Sequence, residues 1–226
     1  GWDYNNNVST FTVGGTWNAK FSGVPNNGII IVTDCVAGRD CLLGNPYPSA
    51  IDADTFLALP QNTAVLEGTL YFWTHNTPMI NNAYNSNDYA SYNGVGGTAT
   101  FPSFSTGYNT NVPSGKIAAG QAFFATAIAT KEVVFNNSMR LSSLGAPIEN
   151  IQFFKTSSNN KKTSRIEKHR VWLNLSNTLG VFKQTLVGYL TNATNDYDSR
   201  FDGESMNGNT YADFYSINQD KNLTIQ

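Results

Sequence analysis

The apolar positions of this chain fall into short runs, none long enough for a membrane-spanning helix. Residues 8–21 are rich in β-branched and aromatic side chains and are interrupted by Gly14 and Gly15. Residues 28–33 (GIIIVT) form a compact apolar run between Asn27 and Asp34, the pattern of a buried strand. Residues 69–75 (TLYFWTH), 122–128, 133–136, 151–155, 185–190 and 213–217 continue the series, and the closing NLTIQ also reads as a strand. In RVWLNLS, Val171, Leu173 and Leu175 alternate with Trp172, Asn174 and Ser176, a period of two that predicts a strand with one half-buried face. One short helix is predicted. Ser49 or Asp52 caps a turn or two through Asp54, Phe56 and Leu57 that stops before Pro60. Residues 79–115 are rich in Asn, Tyr and Gly and poor in aliphatics, which predicts long loops with one edge strand. The pattern as a whole predicts an all-β chain: an antiparallel, jelly-roll-like β-sandwich with long Asn/Gly-rich loops and at most one short helix. No shift in composition divides the 226 residues, so a single domain over 1–226 is expected.

Composition narrows the function classes. Lys and Arg number 14 and Asp and Glu 16, a net charge of −2, and only 13% of residues are charged, about half the usual share of roughly a quarter. Small polar residues fill the gap: 29 Asn, 23 Thr, 18 Ser and 19 Gly. Near-neutral charge argues against nucleic acid or an anionic membrane held by counterion release. Cys35 and Cys41, in DCVAGRDC, are spaced for a local disulfide, with two reduced, half-buried thiols as the alternative, and not for a CxxC redox or zinc motif. The Asn/Thr/Ser-rich, Lys-poor composition favours an exported protein in which such a bond persists. The chain starts at Gly1 and stops within a strand-like run, so a piece of a longer protein is expected.

No catalytic set emerges. There are two histidines, His75 and His169, and the nearest approach to a nucleophile elbow, residues 203–207 (GESMN), lacks the final glycine. Clustered His/Cys ligands for zinc are missing from the sequence. Sixteen acids give many carboxylate pairs, a signal too unspecific to assign glycoside hydrolysis. The densest acidic stretch, TNATNDYDSRFDGE (191–204), offers Asp196, Asp198, Asp202 and Glu204 as hard oxygen ligands for calcium. The alternative is a metal-free polar loop in which Arg200 pairs with a carboxylate. The basic stretch 161–170 reads as a solvated hairpin loop, or as an anionic-glycan patch. Trp73 and Trp172 are the candidate rings for stacking a sugar; core or half-buried sheet positions are the alternative.

Longer strings carry a resemblance. LLGNPYPSAIDADTF (42–56), GTLYFWTHNTP (68–78), IAAGQAFF (117–124), VVFNNSMR (133–140), HRVWLNLSN (169–177) and GVFKQTLVGYLTNATNDYDSRFDGE (180–204) occur in this order. Together they resemble a region of large secreted surface proteins of Flavobacterium-type Bacteroidota, just upstream of the C-terminal sorting signal of the type IX secretion system. The resemblance covers residues 41–226 and is carried most by GNPYP and YDSRFDGE. It implies a secreted, cell-surface location associated with the outer membrane, in a motility-linked adhesin. The implied partners are the translocon channel and the shuttle protein during export; the chain would serve in adhesion or gliding or as a spacer next to the sorting signal, and a surface polysaccharide or glycan is a further candidate partner. No catalytic residue is implied, and the sorting domain would follow Gln226. The alternative function is a carbohydrate-binding, lectin-like module or an accessory domain of a glycan-active enzyme. Pro46 and Pro48 hold their neighbours extended, so the GNPYP string is expected to form a structural corner.

Overall fold

A computed structural model describes residues 2–5, 8–11, 22–74, 89–100, 112–141, 168–177, 181–206 and 212–226. In chain order these contain β1 (Trp2–Asn5), β2 (Val8–Phe11), β3 (Ile30–Val32), β4 (Asp40–Gly44) and β5 (Ile51–Asp52). Helices α1 (Ala53–Ala58) and α2 (Pro60–Thr63) follow, then β6 (Leu66–Trp73), β7 (Tyr89–Tyr92), β8 (Gly97–Thr98), β9 (Lys116–Ile117), β10 (Ala122–Ala127) and β11 (Val133–Phe135). The C-terminal part holds β12 (Lys168–Ser176), β13 (Phe182–Leu190), β14 (Gly203–Glu204), β15 (Ser216–Asn218) and β16 (Lys221–Ile225). The fold is all-β and sandwich-like.

Two sheets dominate. The central sheet has the order β4-β10-β6-β7-β8, and the C-terminal sheet the order β12-β13-β16-β14, with β15 also on β16. All pairings are antiparallel among the described residues except β13 with β16, which meet in parallel at Leu186 and Ile225. Strand alternation gives the central sheet two different faces. Leu70, Phe72, Tyr92, Phe123 and Ala125 enter the main core with Phe56, Phe135, Ile51 and Met139. Phe56 stacks on Phe135 at 4.9 Å and meets Phe123 edge-on at 5.6 Å, so Phe56→Ala would cost about 3–5 kcal/mol. The opposite face presents Thr69, Tyr71, Ser91 and Thr98 towards the C-terminal sheet. There Val95, Leu186 and Ile225 form a second, smaller core beside Leu190 and Phe201.

Several expectations change. Among the described residues α-helix occurs twice, not once. Asp52 caps α1 by accepting from Thr55 N at 2.7 Å, while Ser49 instead accepts from Arg140 Nε. Pro60 ends α1 but opens α2, because a first-turn position needs no N–H and favours the φ that proline fixes. Residues 28–33 do not form a strand buried on both sides. Among the described residues β3 pairs only with β11, and Ile30 and Val32 lean on the core while Ile31 is exposed. Within 79–115, β7 lies inside the central sheet and β8 at its edge, two strands where one was expected. The strand expected at 151–155 lies outside the described residues.

Candidate ligand cleft and the acidic loop

The GNPYP string folds as a corner. Asn45 is buried, and its Nδ2 donates to the carbonyls of Ser49 (2.8 Å), Ile117 (3.1 Å) and Ala118 (3.1 Å). Its Oδ1 accepts from Tyr47 N at 3.0 Å, and the buried Tyr47 hydroxyl donates to Gly28 O at 2.6 Å beneath the Arg140 guanidinium. Asn62 and Asn93, also fully buried, do similar work, joining α1 to β11 and the β7–β8 turn to Phe201. Cys35 and Cys41 are joined in a disulfide, Cα atoms 5.4 Å apart, at the start of β4. Gly38 N donates to Ala127 O at 2.7 Å, which ties this small loop to β10.

Where the two large sheets meet, Tyr89, Ser91, Thr98, Thr100, Phe182, Lys183, Gln184, Ser205, Met206 and Thr224 line a shallow, open cleft. β7, β8 with the residues after it, the start of β13, the residues after β14 and Thr224 of β16 supply these side chains. Gln184 fixes the floor: its Oε1 accepts from Ala99 N at 2.9 Å and its Nε2 donates to Asn174 Oδ1 at 2.8 Å. Lys183 Nζ lies 3.8 Å from Asp213 Oδ1, both side chains 15% exposed. Burial pushes the Lys183 ammonium below its usual pKa, and Asp213 opposes that shift. Asp213 Oδ1 also accepts from Phe214 N, while its Oδ2 is buried with no hydrogen-bond partner among the described residues. The lining is mostly hydroxyl, with the Gln184 amide, the Lys183 ammonium and two aromatic rings, and the Ser205 hydroxyl donates to Asp213 Oδ1 at 3.4 Å. Sequence patterning missed this site because its parts come from five separated segments.

The calcium candidates are not brought together. Asp202 Oδ2 accepts from Asp198 N at 2.7 Å, Asp198 Oδ1 from Arg200 N at 3.0 Å, and Asp196 Oδ1 from Gln219 Nε2 at 2.9 Å. Glu204 forms an ion pair with Lys221, whose ammonium sits 4.2 Å from the Tyr197 ring centroid. Among the described residues no three His, Cys, Asp or Glu side chains gather into a metal-holding group. Arg200 serves the loop through its backbone N–H, and its guanidinium lies over Phe201 at 5.7 Å. Burial, then the nearby Glu204 charge, raises the Glu67 carboxyl above its usual range, with Lys221 opposing. Burial likewise raises Asp202.

The two tryptophans are separated in role. Trp172 Nε1 donates to Gly97 O at 3.0 Å and its ring carries the Arg170 guanidinium at 5.2 Å, so it clamps the two sheets together. The alternation of β12 left open which face is covered. Trp172 turns toward the central sheet, and Val171, Leu173 and Leu175 lie on the exposed outer face. Trp73 pairs with Tyr89 across β6 and β7, beside the cleft, and is 39% exposed. Of the basic stretch, residues 161–167 lie outside the described residues, as does His75.

No curated protein and no solved structure matches this chain. A family model described as a domain of unknown function (DUF8693) matches residues 4–226. Over almost its whole length, then, the chain belongs to that domain family of unknown function, DUF8693.

Proposed function

We propose that this chain is a non-enzymatic module of a secreted cell-surface protein, cargo of the type IX secretion system, serving adhesion or gliding, or spacing next to a sorting signal. The observation that carries the proposal is the Cys35–Cys41 disulfide at the edge of the main core, a bond that persists in oxidising compartments and is rare in the cytosol. Loops tied by neutral asparagines support an exposed, low-charge surface protein. During export the translocon channel and the shuttle protein would be its partners. Surface-shaved protein from the producing cells, mapped without reduction, should yield the linked Cys35–Cys41 peptide. Cells lacking the translocon should retain the protein in the periplasm. Delivery to the surface without the translocon, or reduced thiols on a cytosolic protein, overturns the proposal.

A second function, saccharide binding, is favoured by the hydroxyl-lined cleft with Tyr89 and Trp73 on one strand pair. A glycan array separates the two. Specific binding lost in Trp73→Ala and in Thr100→Val, yet retained in Trp172→Phe, supports a lectin-like module. A flat array, together with loss of surface attachment on deletion, supports the adhesin or spacer role.

A further inference from the structure

Lys183 lies on β13 and Asp213 just before β15, far apart in the chain, and the fold holds the two side chains against each other. Thr185, two residues along β13 and therefore on the same face as Lys183, is 2% exposed and donates its hydroxyl to Phe214 O at 3.0 Å. This holds residues 213–214 against β13. Asp213 Oδ1 accepts from Phe214 N at 2.9 Å and from the Ser205 hydroxyl at 3.4 Å, and Ser205 N donates to Asn222 O of β16 at 2.8 Å. The carboxyl is thus fixed from two sides, with Lys183 Nζ 3.8 Å from its Oδ1. A charge-assisted hydrogen bond runs about 2.7–2.9 Å, so this pair buries two charges without the short bond that offsets their desolvation. Burial also lowers the Lys183 pKa, which favours the neutral, nucleophilic amine.

We propose that Lys183 and Asp213 condense spontaneously into an intramolecular amide, a covalent cross-link between β13 and the segment that leads into β15. Lys183 Nζ passes one proton to Asp213 Oδ2, and the neutral amine attacks Cγ. A second Nζ proton moves to Oδ2 as the Cγ–Oδ2 bond breaks, and Oδ2 leaves as water. The bond formed is Nζ–Cγ; Oδ1 stays as the amide oxygen and Nζ keeps one hydrogen. Nothing is oxidised or reduced, and no co-reactant is consumed. The Phe214 N–H and the Ser205 hydroxyl already point at Oδ1, where negative charge gathers in the tetrahedral intermediate, and they stabilise it there. Holding amine and carboxyl side by side supplies the effective concentration that free groups in water lack, and burial of Oδ2 limits the water that would reverse the step. The link closes residues 183–213, with the acidic loop and β14, into one covalent ring. It does not depend on how the protein is exported.

Intact-mass spectrometry of the folded full chain, unfolded and with its disulfide reduced just before measurement, should give the sequence mass less one water. Trypsin should then fail to cut after Lys183, and residues 171–200 should appear joined to residues 201–221 as one branched peptide. Lys183→Arg keeps a cation that cannot lose its proton, and Asp213→Ser keeps an acceptor for Phe214 N without a carboxyl. Each variant should show its full sequence mass and no branched peptide. The unchanged chain at full mass after prolonged incubation in the folded state means an ordinary ion pair and overturns the proposal. One water lost equally from Lys183→Arg, or a branch that maps to another lysine or another acid, overturns it as well. The peptide map of the unchanged chain decides the matter even where a variant does not fold.

Discussion

Buried asparagine takes the place that charge holds in more ordinary proteins. Asn45 uses one amide to satisfy three carbonyls and one N–H at a corner where two prolines have removed donors. Asn45→Ala leaves these groups buried and unpaired, so an unfolding free energy lower by about 3 kcal/mol is expected in a denaturant titration. Asn45→Asp keeps the shape but turns a charged acceptor on those carbonyls and should cost at least as much near pH 7; a loss below about 1 kcal/mol for either variant would refute the role. Glu67 shows the opposite situation, a carboxyl that the fold tolerates. Burial and Glu204 raise its folded pKa above the unfolded value, so the folded state holds the proton more tightly. Its charge therefore opposes folding, and its contribution to stability falls as pH rises from the ordinary carboxylate range through the raised value. Glu67→Gln should melt higher than the unchanged chain at pH 7, with the gap closing as the pH is lowered through that window.

At the scale of elements, the acidic loop before β14 is held by its own backbone. Asp198 and Asp202 accept N–H groups within the loop, and Glu204 is occupied by Lys221 and the Tyr197 hydroxyl. EDTA is accordingly expected to leave Tm unchanged, and a drop of several degrees on chelation, reversed by calcium, would reinstate a metal site. Much of this level is legible in the sequence. The runs at 69–75, 122–128, 133–136, 185–190 and the last residues mark β6, β10, β11, β13 and β16, because period-two and β-branched patterning is local. β7 escapes such a reading. Tyr89–Tyr92 sits in a stretch dominated by Asn, Gly and Tyr, and only its pairing with β6 and β8 reveals it as a strand. The faces of β12 were equally hidden. Alternation says that two faces differ, but not which one the molecule covers.

The whole molecule depends on close approach between its two large sheets. Gly68, at φ +93°, would place a Cβ 2.7 Å from Ser199 O, and Gly203 would place one 2.9 Å from Thr69 Oγ1. Gly68→Ala must strain a left-handed backbone and push the 191–204 loop off β6. A destabilisation above about 2 kcal/mol is expected, with Tyr71 losing its bond to Glu204 O. Thermal melts, with Tyr71 fluorescence or exchange as a local probe, check both; near-native stability would mean that the sheets are not packed this tightly.

The sequence by itself determined the all-β class, the helix at Asp52, the low charge and the absence of a catalytic motif, all of which depend on neighbours a few residues apart. Only the tertiary structure decided that Asn45, Asn62 and Asn93 are buried among the described residues, that Lys183 and Asp213 meet at a hydroxyl-lined cleft, and that Trp172 bonds to Gly97 on the facing sheet. Those outcomes depend on which strands become neighbours, and pairings across tens of residues leave no periodic trace along the chain.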